Sequence, residues 1–142
     1  MANVSQILDR KGRDVLTIRP EQMVLDALKS MAEADVGSVM VMSGDAVEGI
    51  FTERQYARKV FLMGKASPTT PVRDVMERDV IFVAPDQSVE ACMALMTEKR
   101  IRHLPVLSNG RLVGMISIGD LMKSVIDEHK FNIEQLVQYV QG

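Results

Sequence analysis

The stretch GIFTERQYARKV at Gly49–Val60 is repeated in altered form 65 residues later, as GMISIGDLMKSV at Gly114–Val125. The likeness extends outward without a gap, because residues 13–60 align with residues 78–125 at this constant offset. Many aligned positions are identical, and most of the others keep their apolar character. A fixed period with matched apolar positions is typical of a duplicated supersecondary unit. Two copies packed about a pseudo-twofold axis are expected to form a cleft between them, and clefts are where ligands bind.

The composition is that of an ordinary globular protein. The chain has 142 residues, of which 46% are hydrophobic and 25% charged, and these values are typical of soluble domains. A net charge of -2 and the absence of Trp argue against a nucleic-acid partner, which would be bound by clustered cations and stacking aromatic rings. No apolar run approaches the ~20 residues of a membrane span. A single cysteine and an N-terminus without a signal-peptide pattern favour a cytoplasmic location.

Apolar periodicity predicts the same order of elements, β-α-β-β-α, in each copy. Short strands alternating with helices indicate an α+β fold with α/β-like features. The predicted strands lie at 15–18, 39–42 and 47–51 in the first copy, and at 80–83, 104–107 and 112–116 in the second. The predicted helices lie at 24–35 and 52–62 in the first copy, and at 89–99 and from 117 onward in the second.

The chain is predicted to divide into four segments. A first repeat with a short N-terminal helix covers 4–63, a linker of sequence GKASPTTP covers 64–71, and the second repeat covers 72–126. The tail at 127–142 contains a further amphipathic helix at 133–140. Its apolar stripe has to be covered, either by the other copy or by a second subunit.

The junction between the last strand and the last helix of each copy carries the clearest chemical signal. In the second copy, Gly114 would let a ligand approach the backbone closely, and Ser117 stands where the helix begins. Its hydroxyl and the free amides of the first turn could bind a phosphate. One turn later, Asp120 could accept from ribose hydroxyls. Thr52 occupies the corresponding position of the first copy.

The same residues have a purely structural interpretation. Thr52 with Gln55, and Ser117 with Asp120, have the spacing of a capping box, in which a side chain at each end satisfies backbone amides at the start of a helix. The sequence alone leaves both interpretations open.

The two copies differ in a basic cluster that only the second copy contains. Arg102 and His103 lie between a helix and a strand of the second copy, and the aligned residues of the first copy carry no cation. Cations are favoured at helix C-termini, so this cluster could be a solvated helix end; the asymmetry suggests instead that the second copy binds a phosphate. In the first copy, Arg54 is the cation best placed for a ligand.

With these motifs in view, the chain resembles a tandem pair of cystathionine β-synthase (CBS) domains, known as a Bateman module. The resemblance is carried by Gly49–Val60, by CMALMTEKRIRHLPVL at Cys92–Leu107 and by GMISIGDL at Gly114–Leu121. It implies a module that binds an adenine nucleotide such as AMP, ATP, NAD or S-adenosylmethionine and regulates a partner. It also implies that Ser117 meets the phosphate and Asp120 the ribose. Further implied contacts are Arg102 and His103 near the phosphates, and residues around the base: Ile81, Ile101, His103, Leu104 and Pro105.

The first copy departs from the family pattern at Gln55, where an aspartate is expected. A neutral amide has one acceptor oxygen and cannot replace a carboxylate toward two hydroxyls. The sequence therefore predicts one competent site in the second copy and a weakened or altered one in the first.

No catalytic constellation or metal-ligand spacing is present in the sequence, and Cys92 is expected in the core. The favoured function is a non-catalytic nucleotide sensor that signals to a separate protein effector. The alternatives are a constitutive dimerisation scaffold and, least favoured, an enzyme acting on nucleotides. A homodimer is expected, through the helices that begin at Thr52 and Ser117.

Overall fold

A computed structural model of the protein describes residues 2–141, which divide into two compact units. The first-repeat unit is Val15–Val80; the second-repeat unit combines the residues up to Asp14 with those from Ile81 onward. The helices are α1 Val4–Lys11, α2 Val24–Ala34, α3 Glu53–Gln55, α4 Val89–Lys99 and α5 Ile118–Gln141. A π-helical segment, Tyr56–Phe61, continues α3, and a 3-10 turn covers Val72–Asp74. The strands are β1 Thr17–Ile18, β2 Ser38–Ser43, β3 Ala46–Thr52, β4 His103–Ser108 and β5 Arg111–Ser117.

The duplication is visible in the sheets, which confirms the α+β prediction. In the first-repeat unit β1 runs parallel to β2, and β2 pairs with β3 in an antiparallel hairpin. In the second-repeat unit β4 and β5 form the matching hairpin. Its turn is Asn109–Gly110, with φ of 53° and 76°, as a two-residue turn of type I′ requires.

The core of each unit includes a short segment that, in the sequence, precedes the other repeat. In α1, Val4, Ile7 and Leu8 are buried in the core of the second-repeat unit. In the segment Val72–Met76, the apolar side chains of Val72, Val75 and Met76 are buried in the core of the first-repeat unit. The two compact units therefore do not coincide with the two sequence repeats. The division of the sequence into segments 4–63, 64–71, 72–126 and 127–142 stays a prediction.

The predicted strand at 80–83 does not form. Only Val83 pairs, in a single parallel bridge to Val106, flanked by bonds from the Val83 amide to the Pro105 carbonyl and from the Leu107 amide to the Val83 carbonyl. In the first repeat, the amide of Met40 donates to Leu16 and extends the ladder. Pro105 aligns with Met40 and has no N–H, so the same ladder cannot extend in the second repeat.

The C-terminal prediction was wrong in one respect. The stretch predicted as a further helix at 133–140 is not a separate element, because α5 continues without interruption from Ile118 to Gln141. No Gly or Pro lies between Asp120 and Gln141 to end it. The last residue of the predicted tail, Gly142, lies outside the described residues. Within residues 2–141, no helix combines the length and apolarity needed to cross a bilayer.

Candidate functional site

The junction of β5 and α5 forms a capping box. The backbone amide of Ser117 donates to Oδ2 of Asp120 at 2.8 Å, and the amide of Asp120 donates to Oγ of Ser117 at 3.2 Å. Both side chains are partly buried. The structural interpretation of this pair is therefore confirmed. The Ser117 oxygen is the acceptor in this bond, so its hydroxyl proton is left to donate elsewhere.

The basic cluster is brought to the same junction by the β4–β5 hairpin. His103 is the register partner of Ser117, and the amide of Ile118 donates to the carbonyl of Arg102 at 2.9 Å. The prediction of free amides at the start of α5 needs correction, because the amides of Ile118 and Asp120 already donate to protein acceptors. The amide of Gly119 lies between them, and a Cβ built on Gly119 would contact only the Ser117 hydroxyl, at 3.7 Å.

Asp120 also holds a cation that sequence reasoning missed. Nζ of Lys11, the last residue of α1, lies 2.7 Å from Oδ2 of Asp120 and donates to the carbonyl of Met115 at 2.9 Å. Burial raises the pKa of Asp120. The hydrogen bonds from Lys11 and Ser117 and the charge of Lys11 outweigh that effect, so the pKa lies below its ordinary value. Asp120 is therefore a firmly ionised carboxylate at neutral pH.

The residues that the resemblance implies around a base differ in how far they are buried. Ile81 and Ile101 are partly buried against the core of the second-repeat unit. Leu104 and Pro105 are buried. The Leu104 side chain is completely buried within the core, so Leu104 could touch a ligand only through its backbone.

The matching junction in the first-repeat unit differs in its hydrogen bonds. Thr52 and Gln55 form a capping box, and the Thr52 hydroxyl also donates to Oε1 of Gln55 at 2.5 Å. This donation uses the proton that Ser117 keeps in the second-repeat unit. Arg54 is exposed in the single turn of α3.

A cavity of about 340 Å³ lies in the first-repeat unit, between the end of α2 and the start of α3. Its lining includes the carboxylates of Asp35 and Glu53 and no cationic side chain. A negative lining disfavours phosphate. The predicted site residues Thr52, Arg54 and Gln55 are not among those that line this cavity, so weak nucleotide binding by the first repeat stays a prediction.

The repeat glycines have a different role from the predicted one. A Cβ at Gly114 would lie 2.6 Å from Cδ2 of Leu8, and a Cβ at Gly49 would lie 2.7 Å from the carbonyl oxygen of Glu77. The space in front of each glycine is thus filled by the segment exchanged between the repeats. The expectation that Gly114 admits a ligand was wrong, because Leu8 occupies that position.

Cys92 is completely buried in the second-repeat core, as expected, and burial raises the pKa of its thiol. Among the described residues, no cluster of three His, Cys, Asp or Glu side chains could hold a metal ion.

Comparisons with known proteins agree with this architecture. The profile of the CBS domain matches residues 4–61 and 72–127. A CBS domain-containing protein of Arabidopsis thaliana, CBSX3, mitochondrial, is 38% identical over 98% of this chain and 72% of its own. A solved CBS-domain protein from Burkholderia ambifaria is 51% identical, with a TM-score of 0.87 over 89% of this chain and 95% of that one.

A more distant structure shows the same fold. The CBS domain protein PAE2072 from Pyrobaculum aerophilum, solved in complex with AMP, is 21% identical, with a TM-score of 0.74 over 84% of this chain and 89% of that chain. The two profile matches and the strong likeness to CBS-domain proteins lead to one conclusion: this chain belongs to the CBS-domain family and carries two CBS domains.

Proposed function

We propose that the protein is a non-catalytic sensor that binds an adenine nucleotide at its second CBS domain and signals to a separate protein effector. The observation that carries the proposal is the arrangement at the start of α5. There an ionised Asp120 stands one turn from a Ser117 hydroxyl with a proton to donate, and His103 is the register partner of Ser117. The AMP complex of PAE2072 supports the proposal only in showing that this fold can hold AMP in that protein.

The ligand is proposed to lie with its phosphate at Ser117, Arg102 and His103, and its ribose at Asp120. The hydroxyl donates to a phosphate oxygen and the carboxylate accepts from the sugar. Ile81 and Ile101 supply partly buried apolar surface for the base. AMP, ATP and NAD all contain such a ribose phosphate.

Isothermal titration with AMP, ATP and NAD tests the proposal. We expect at least one of them to bind with a dissociation constant below 1 mM, and Asp120→Asn to weaken that binding about tenfold, because a charge-assisted hydrogen bond is lost. Asp127→Asn is the matched control, since it removes another carboxylate of α5 that pairs with α1, through Arg10. Failure of all three nucleotides to bind, or equal effects of the two substitutions, would contradict the proposal.

A constitutive scaffold is the second candidate, and the capping boxes favour it. They account for Thr52, Gln55, Ser117 and Asp120 without any ligand. Thermal unfolding separates the two functions, because a ligand present at about 100 times its dissociation constant adds about 2.7 kcal/mol of stability. A melting temperature that none of the three nucleotides changes would favour the scaffold.

Self-association through α5 is proposed for either function. Five apolar side chains that are at least half exposed follow a heptad spacing along it: Met122, Ile126, Ile133, Leu136 and Val140. One heptad position carries Ile126, Ile133 and Val140, and the other carries Met122, His129 and Leu136; β-branched residues at the first with Met or Leu at the second suit a two-stranded pairing. We therefore propose a homodimer in which a second copy covers this face of α5.

The single cysteine of the chain favours a reducing compartment. We propose that the protein is cytoplasmic; the Arabidopsis relative is described as mitochondrial.

A further inference from the structure

The contact between Lys11 and Asp120 joins residues 109 positions apart in the sequence. The side chain of Lys11 is 35% exposed and that of Asp120 is 22% exposed, so the ion pair is partly shielded from solvent. It lies where the proposed function puts the ribose. The position of Lys11 at the end of α1 brings a cation from outside the second repeat to that repeat's carboxylate.

The first repeat shows what Lys11 replaces. There the carbonyl of Ile50, which aligns with Met115, accepts from the backbone amide of Glu77 at 2.8 Å. In the second repeat the carbonyl of Met115 accepts from the ammonium of Lys11. Lys11 lies in the stretch where the sequence before the first repeat is three residues longer than its counterpart. The donor to this carbonyl is thus a backbone amide in the first repeat and a charged side chain in the second. The second repeat is also the one that has a carboxylate, Asp120, where the first has Gln55.

The two carboxylate oxygens of Asp120 differ in their contacts. Lys11 and the Ser117 amide both donate to Oδ2, and a carboxylate oxygen accepts about two such bonds. Oδ1 is the oxygen left for the hydroxyls of a sugar. The ammonium of Lys11 has three N–H groups, of which two are used by Met115 and Asp120. The third can donate to a ligand.

The charges explain why a cation is needed here. The Ser117 amide lies 2.8 Å from Oδ2 of Asp120, so a phosphate held by the Ser117 hydroxyl would be close to the carboxylate. Two negative charges this close in a partly buried site repel strongly. Lys11 cancels the charge of Asp120 at that point, while leaving Oδ1 as an acceptor. An uncharged nucleoside needs no such compensation.

We propose that Lys11 is a specificity-determining residue of this site, which makes it prefer a ribose phosphate to the corresponding uncharged nucleoside. The proposal rests on the proposed function, because it concerns the same ligand. A lysine that only anchors α1 would affect both ligands alike. A lysine that compensates Asp120 affects the phosphorylated ligand alone.

Titration of AMP and adenosine into the full chain and its variants separates these two roles. Lys11→Met is expected to weaken AMP binding about tenfold, the value of one charge-assisted bond, and to change adenosine binding less than about threefold. Lys11→Arg keeps the charge and should retain most of the preference for AMP. Arg10→Met is the matched control, because it removes the neighbouring ion pair between α1 and Asp127 of α5 and should leave the preference unchanged.

Several results would overturn the proposal. An equal loss of AMP and adenosine affinity in Lys11→Met would show an anchoring role only, and unchanged AMP affinity would show none in binding. Should Lys11→Met fail to fold, as judged by circular dichroism, Lys11→Gln carries the same comparison. If the wild-type protein binds none of AMP, ATP, NAD and adenosine, the proposed function itself fails, and this result is distinct from wild-type binding that Lys11 does not influence.

Discussion

Replacing Gly114 by alanine tests the exchange of core segments between the repeats. Gly114 lies in β5 opposite Val106. A methyl group there would come within 2.6 and 2.7 Å of the two Cδ atoms of Leu8 and 3.2 Å of its Cγ. Real contacts of this kind are close to 4 Å. Leu8 is only 1% exposed and packs into the second-repeat core, so it cannot turn aside without disturbing its neighbours.

The expected magnitude follows from two opposing effects. Inserting a methyl group into a packed core costs about 1–3 kcal/mol. Replacing glycine by alanine also restricts the unfolded chain, which returns about 0.4–1 kcal/mol. We therefore expect Gly114→Ala to lower the free energy of unfolding by about 1–2 kcal/mol. Urea unfolding followed by circular dichroism measures the difference.

A second substitution identifies the cause. Leu8→Ala alone should cost about 2–5 kcal/mol, because it leaves a cavity in the core. It also makes room for the new methyl group, so the double variant should be more stable than the sum of the two losses predicts, by about 1 kcal/mol. Gly119→Ala is the control, since its Cβ would meet only the Ser117 hydroxyl at 3.7 Å. Additive losses, or a Gly114→Ala effect no larger than that of Gly119→Ala, would refute the packing of α1 against β5.

Three further predictions concern the site and the α5 surface. Gln55→Asp restores the expected carboxylate of the first repeat and should raise the number of AMP molecules bound per chain from one toward two in a titration. An unchanged number would show that Gln55 is not what prevents AMP binding by the first repeat. Because the pKa of Asp120 is lowered in the folded protein, its ionised form stabilises the fold above the ordinary carboxyl value of about 3.9 and this stability is lost as pH falls through the lower folded value. The stability difference between wild type and Asp120→Asn should therefore be larger at pH 7 than at pH 3 in urea titrations, and a difference independent of pH would contradict the assigned contacts. Leu136→Lys places a charge in the exposed apolar face of α5 and should shift the protein toward monomer in sedimentation experiments, whereas Gln135→Lys should not; equal behaviour of the two variants would argue against a dimer through this face.

Much of the fold could be predicted because the apolar pattern and turn residues act locally. The helix predicted at 89–99 is α4, Val89–Lys99, and both hairpins lie within a residue of their expected places. The strand predicted at 80–83 failed because strands need a partner, and Pro105 removes the donor that would have extended the ladder. The apolar spacing did not predict that the helix widens into a π-helical segment at Tyr56–Phe61.

The site was predicted in part for the same reason. Ser117 and Asp120 stand three residues apart on one helix start, so their proximity is local and readable from the sequence. The contact with Lys11 spans 109 positions and arises because α1 packs on the second repeat. The extra residues beside Lys11 were visible in the alignment of the copies, but only the structure shows that they bring its ammonium to Asp120.

The most direct test of the central claim is a crystal structure of the protein grown with saturating AMP. We expect the phosphate within hydrogen-bonding distance of the Ser117 hydroxyl and a ribose hydroxyl within about 3 Å of Oδ1 of Asp120. Density for AMP elsewhere, with Ser117 and Asp120 contacting only each other and Lys11, would show that these residues serve the helix alone and that the proposed nucleotide site is wrong.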